Sequence, residues 1–176
     1  MSLLGNNPCQ DSSEIKELSS GNRTINYTSS TYKCDLTDSE IGDDWSKWYK
    51  ITGKAGNALQ VHPPLRERCG GQAQAYLTEN HPAPSDGVVN RKVCVQNPSN
   101  LCNSRKSPIQ VVNCGSFYLY RLQRLKNDCD PNWRYCTNGK DDVEPPCQGG
   151  VFESLTLSLN DAPKGGFQLD KQASTP

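Results

Sequence analysis

A chain of 176 residues accommodates one ordinary domain with a tail, or two small domains. Lysine plus arginine and aspartate plus glutamate each number 19, so the formal charge is zero and no strong field draws the chain to nucleic acid or an anionic membrane. Only 34% of residues are apolar and the mean hydropathy is −0.76, yet there are nine cysteines. That balance argues against a cytosolic enzyme with a large aliphatic core. It favours a small secreted module held by covalent bridges.

Residues 1–6 form an N-terminal extension. They lack the charged and apolar regions of a secretory leader, so the expectation is an internal piece of a longer precursor or a lost leader. Residues up to 33 are polar and poorly periodic, with one short helical possibility over Ser13–Leu18. Two glycosylation acceptor triplets follow, Asn22-Arg23-Thr24 and Asn26-Tyr27-Thr28, in a Ser/Thr-rich stretch. Next come Asp35, Asp38, Glu40, Asp43 and Asp44. They lack the alternation and closing glutamate of a calcium-binding loop and are read as a solvated acidic loop.

From Trp45 the texture becomes that of strands. Candidates cover residues 47–52, 73–78, 88–95, 109–114 and 116–122, separated by Gly, Pro and Asn turn signals. With no sustained amphipathic helix, the fold class is mainly β, a disulfide-rich extracellular module with long loops and little helix. Residues 137–176 read as a hydrophilic linker and a largely disordered tail, with one further strand possible over 151–159 where leucines alternate. No run reaches the length of a membrane span.

No cysteine pair has zinc-knuckle or CxxC spacing, so disulfides are the default and neither metal nor cofactor is expected. His62 and His81 each precede proline, which biases them toward extended turn geometry. Neither has an evident catalytic partner, and no hydrolase motif is present, so an enzyme is not expected. The aromatics Trp45, Trp48, Tyr49, Tyr118 and Tyr120 serve either as core or as a platform for sugar or peptide. Basic residues at Arg66, Arg68, Arg91, Lys92, Arg105 and Lys106, and again at Arg121, Arg124 and Lys126, could attract anionic glycans.

Several phrases in order carry a resemblance. They are Asn7-Pro8-Cys9, Cys34-Asp35 ahead of Trp48-Tyr49-Lys50-Ile51, and His81-Pro82 followed by Asp86-Gly87-Val88-Val89-Asn90-Arg91 and Cys94. Ile109 to Cys114, Phe117-Tyr118-Leu119-Tyr120, Cys129 and Cys136 complete the set. Residues 7–136 thereby resemble the eight-cysteine extracellular domain of the uromodulin and pancreatic zymogen-granule membrane glycoprotein type. The resemblance implies the pairs Cys9–Cys114, Cys34–Cys129, Cys69–Cys136 and Cys94–Cys102. Spacing alone leaves about 105 connectivities open for eight cysteines. Two further cysteines of the uromodulin version would fall near Pro63 and Leu101 and pair with each other. Cys147 is left over, unpaired within the chain. In the family, glycans on this domain act as decoys for bacterial lectins. The corresponding triplets here, at Arg121-Leu122-Gln123, Asn90-Arg91-Lys92 and Thr78-Glu79-Asn80, are not acceptors, which leaves only Asn22 and Asn26.

The expected function is therefore a non-catalytic structural or interaction module of a longer secreted or surface glycoprotein. Its partners would be extracellular proteins or glycans and the neighbouring domains of its precursor. The alternative is a glycan- or peptide-binding receptor fragment that uses Trp48 and Tyr118 as exposed aromatics.

Overall fold

The computed structural model describes residues 7–42, 44–97 and 100–139. The extension 1–6, Asp43, Cys147, the strand expected over 151–159 and the rest of the tail lie outside the described residues.

Seven strands form one mixed sheet. They are β1 (Ile15–Leu18), β2 (Trp48–Ile51), β3 (Ala73–Leu77), β4 (Val89–Asn97), β5 (Asn100–Asn113), β6 (Tyr118–Arg121) and β7 (Trp133–Tyr135). Their order across the sheet is β1-β2-β6-β5-β4-β3-β7. The central pairs are antiparallel, whereas each edge strand, β1 against β2 and β7 against β3, runs parallel to its neighbour. Five 3-10 turns are the helical content of the described residues. The protein is thus mainly β with long loops.

Alternation along the strands sorts side chains onto two faces. The inner face carries Tyr49, Ile51, Leu77, Val93, Val95 and Val111, all buried in one cluster. Loop residues Ile41, Leu59, Leu122 and Leu125 close over it. The outer face is polar toward β2, β6 and the near half of β4, with Lys50, Arg121 and Lys92 at least partly exposed. Even there some positions are covered. Val112 lies against the N-terminal segment, lining one cavity with Pro8 and Cys9, and Gln96 donates to the Pro64 carbonyl at 3.1 Å.

Four of the expected strands agree closely with β2, β3, β4 and β6; the remaining elements differ for identifiable reasons. The helix expected over 13–18 is replaced by a single turn at Ser12–Glu14 followed by β1. Asp11 caps that turn by accepting the Ser13 N–H, and Ile15 to Leu18 then pair with Trp48 to Ile51. Six residues are too few to nucleate a helix against a ready sheet edge. The strand expected over 109–114 is the second half of β5, which begins at Asn100. Its polar first half is held by pairing to β4, and Pro108 sits beside a register shift, where a missing N–H is tolerated.

Packing also continues past Cys136. Thr137 bridges to both Thr24 and Leu59, and it is fully buried. Asn138 accepts the backbone N–H groups of Asn57 and Ala58. Gly56 has φ +93°, and a Cβ there would lie 2.5 Å from the Gly139 nitrogen. The reciprocal Cβ on Gly139 would lie 2.5 Å from the Ala55 carbonyl carbon. Only glycine permits that crossing of two backbones. Residues 137–139, which composition assigns to the linker, are therefore packed into the domain.

Candidate functional site

Among the described residues, a dense cluster of charges lies in the interior. Arg23 has no exposed side-chain surface, and its guanidinium reaches Asp35 Oδ1 at 2.6 Å, Asp38 Oδ2 at 3.0 Å and Glu40 Oε2 at 3.4 Å. Arg134, equally buried, meets Asp38 Oδ2 at 2.6 Å and Asp35 Oδ1 at 3.6 Å. Backbone donors complete the carboxylates. Tyr135 N–H donates to Asp35 at 2.7 Å, and the Ser19 and Ser20 N–H groups donate to Glu40. Burial opposes the Arg23 charge, but Asp35 and Asp38 more than restore it, so its pKa is raised. Burial likewise opposes ionisation of Asp38, yet Arg23 holds its pKa below the usual value. For Arg134, burial and the neighbouring Arg23 outweigh the acids, and its pKa is lowered.

This centre corrects the expectation of a solvated acidic loop. Asp35 and Asp38 are turned inward by the 3-10 turn Asp35–Thr37, and they meet arginines from both ends of the chain. Residue spacing carries little warning of it. Arg23 is simply the middle of a glycosylation triplet. The one available signal is Arg134, a charge set between Trp133 and Tyr135 in a cysteine-bounded segment.

A second cluster surrounds His81. Its Nε2 lies 2.8 Å from the Tyr120 hydroxyl, and its ring centroid lies 4.4 Å from that of Tyr118. Leu59 N–H donates to the Tyr120 oxygen at 3.1 Å, leaving the hydroxyl proton for the neutral imidazole. Burial, aided by Arg91, pushes the His81 pKa down to about 4, and burial also raises that of Tyr120. His81 is therefore half-buried and bonded, not displayed in a turn. His62 is exposed on a left-handed backbone at φ 76°, contrary to the extended geometry expected before proline. Its N–H is held by the Leu77 carbonyl, which fixes the bend. Among the described residues, no group of three or more His, Cys, Asp or Glu is placed to hold a metal.

The two aromatics singled out as a joint platform point to opposite faces. Tyr49 pairs with Tyr120, so Trp48 lies opposite Arg121 while Tyr118 lies opposite Ile51. Tyr118 thus faces inward and packs on His81; Trp48 stands on the outer face and lines a cavity with Pro8, Asp11, Glu14, Ser46 and Arg121. Tyr49 and Tyr120 are core.

Several of the basic residues are engaged locally, and Arg66 and Arg68 line one hollow together. Arg68 donates to the Asn26 carbonyl, Arg91 to that of Asn80, and Lys126 pairs with Asp128 at 2.7 Å. The side chains of Arg105 and Lys106 lie outside the described residues.

Disulfide bonds join Cys9 to Cys114, Cys34 to Cys129, Cys69 to Cys136 and Cys94 to Cys102. Four bridges in so small a unit place it in an oxidising compartment, outside the cytosol. Of the two acceptor triplets, Asn26 and Thr28 are exposed. Thr24 is fully buried, and Asn22 Oδ1 is shielded with no hydrogen-bond partner.

A family model described as the uromodulin-like domain matches residues 49–137, half of the chain. The chain belongs to the uromodulin-like domain family. The matched span of this uromodulin-like domain runs from β2 to just past the last bridge, but the fold reaches further back. Cys9, Cys34 and β1 precede the span and are bonded into it, and Asp35 and Asp38, which also precede it, pair with Arg134 inside it. The pancreatic secretory granule membrane major glycoprotein GP2 of Canis lupus familiaris is 31% identical over 132 residues, 74% of this chain and 23% of that protein. Uromodulin of Rattus norvegicus is 32% identical over 142 residues, 80% of this chain and 20% of that protein. Uromodulin of Mus musculus is 34% identical over 114 residues, covering 64% and 17% respectively. The uromodulin-like chain spans less than a quarter of the length of these curated relatives.

Proposed function

We propose that this uromodulin-like domain is a non-catalytic extracellular module that serves a structural or interaction role within a longer secreted or surface glycoprotein. The observation that carries this reading is how the reactive groups are used. All eight cysteines from Cys9 to Cys136 are bridged, and His81 is bonded to a tyrosine inside an aromatic cluster. The buried carboxylates are matched by arginines. Such groups hold the fold and leave no nucleophile paired with a base among the described residues. Its partners are extracellular proteins or glycans together with the adjacent domains of its own precursor, in keeping with the short share of its relatives that it covers. Asn26 is the glycan acceptor that fits the folded surface, since Asn26 and Thr28 are both open to solvent.

Intact mass of the secreted chain before and after reduction tests the reading. Four bridges predict a native mass eight protons below the reduced one, two for each bond. Eight free thiols in the secreted form would overturn it.

A further inference from the structure

The outer face of the central sheet carries a row of side chains, half-buried to exposed, that take no part in the disulfides or the ionic centre. Strand register aligns Trp48 with Arg121, Arg121 with Gln110, and Gln110 with Asn90, one residue from each of β2, β6, β5 and β4. Four adjacent strands span roughly 14 Å at the usual sheet spacing. At one end, Trp48 and Arg121 line a cavity together with Pro8, Asp11 and Glu14. At the other, Asn90 and Lys92 line a larger groove of about 840 Å³ with Tyr76, Thr78, Glu79 and Pro108. Arg121 and Asn90 are exposed and Gln110 is half-buried between them, so the row links the two hollows.

Resting on the module reading above, we infer that this row is a binding site for a neutral oligosaccharide. Three features select that chemistry. The four strands are interior to the sheet, each hydrogen-bonded on both sides, so no free backbone edge exists there to pair with an extended peptide. On the strands of the row the apolar residues Leu119 and Val112 are buried, and the exposed Val88 and Leu101 are single side chains, which is too little apolar surface to seat an amphipathic helix. The charges around the row are mixed. Arg121 and Lys92 stand against Asp11, Glu14 and Glu79, with Lys92 already 3.4 Å from Glu79, which gives no single-sign field for a sulfated or sialylated chain. What remains is a line of planar donors and acceptors, guanidinium and two amides, ending on an indole. Those groups match ring hydroxyls along their edges and a sugar face at the end. Tyr118, on the opposite face, takes no part.

The test is a glycan array bearing neutral, sialylated and sulfated oligosaccharides, probed with the secreted 176-residue chain. It is repeated with Gln110→Ala, Arg121→Ala and Asn90→Ala, outward changes that leave the core intact. The expected result is binding to neutral glycans that weakens roughly tenfold in Gln110→Ala and in Arg121→Ala, the loss of one good polar contact, with melting temperatures unchanged. Trp48→Ala should abolish binding, and Trp48→Tyr should restore part of it. Binding confined to anionic glycans, binding indifferent to Gln110→Ala and Arg121→Ala, or a blank array would each overturn the inference. A blank array from protein that still gives the four-bridge mass leaves the module reading standing, so the two failures are distinguishable.

Discussion

Replacing Arg23 by methionine isolates the electrostatics of the buried ionic centre. Methionine keeps much of the aliphatic stem, so packing changes little and the charge with its hydrogen bonds is what disappears. Three contacts go, at 2.6 Å to Asp35, 3.0 Å to Asp38 and 3.4 Å to Glu40. Arg134 is left as the one buried cation facing Asp35 and Asp38, at 3.6 and 2.6 Å. Breaking a buried pair by removing one partner costs about 3–5 kcal/mol. The lower end applies here, about 3 kcal/mol, because Arg134 and the Tyr135, Ser19 and Ser20 N–H groups still serve the carboxylates.

Urea unfolding with the bridges intact, followed by fluorescence of the three tryptophans, measures the loss. The loss should persist at high salt, since buried pairs are little screened. A cycle with Asp35→Asn should return a coupling of about 1–3 kcal/mol. A loss below about 1 kcal/mol that fades with salt is the behaviour of a surface pair. It would refute the placement of these charges in a desolvated interior.

Acid should weaken the domain through two groups in sequence. The His81 pKa is lowered from 6.5 to about 4 in the folded state, so its contribution is complete above pH 6.5 and is lost as pH falls toward 4. At about 1.4 kcal/mol per unit the full shift would be worth about 3.5 kcal/mol, and the partial solvent exposure of the ring cuts this to about 1–2 kcal/mol. Stability measured from pH 7 to 4 should fall less steeply in His81→Gln, and equal slopes would count against it. Asp38, whose folded pKa is depressed, adds a loss only as pH drops below its ordinary 3.8. Gly42 and Gly56 both have positive φ, at +58° and +93°, but a Cβ on Gly42 meets nothing within 4 Å. Gly42→Ala should therefore cost about 1 kcal/mol from backbone strain and Gly56→Ala clearly more; equal melting shifts would deny the close crossing with Gly139. On the glycosylated secreted chain, Asn26→Gln should remove the mass released by an N-glycosidase, whereas Asn22→Gln should leave it. The reverse pattern would show that Asn22 is the exposed acceptor.

What could be read in advance was whatever repeats at a strand's own period. Trp48 to Ile51, Val89 to Val95 and Tyr118 to Arg121 alternate or cluster by themselves, and those strands are where the pattern puts them. β1, the first half of β5 and β7 are strands by virtue of their neighbours. Residues 100–107 are mostly polar and acquire strand form through pairing with β4, and Trp133–Tyr135 is only three residues long. The site divides in the same way. The outward placement of Trp48 follows from its alternation with Tyr49, but the opposite facing of Tyr118 needs the β2–β6 register, which no local pattern contains. Arg23 and Asp35 are twelve residues apart and Arg134 comes about a hundred later, so their meeting is a property of topology. The disulfide pairing stands apart from both. Spacing leaves it open, and family resemblance suggested it.

The covalent and ionic devices act at one place. Cys34 precedes Asp35, and Cys136 follows Tyr135, whose N–H serves Asp35. The bonds Cys34–Cys129 and Cys69–Cys136 therefore bracket Arg134 and carry its carboxylate partners to it. Their sequence separations of 95 and 67 residues make each closure worth about 4–5 kcal/mol in chain entropy. Cys94–Cys102, with a separation of 8, contributes about 2–3 kcal/mol. Burying two guanidiniums and their acids is costly unless geometry is held closely, and a polar N-terminal segment cannot supply that hold by packing alone. The bridges narrow the unfolded ensemble from which this arrangement forms. Opening either long bridge should then loosen the ionic centre and β1 together, while opening Cys94–Cys102 should disturb only the β4–β5 end.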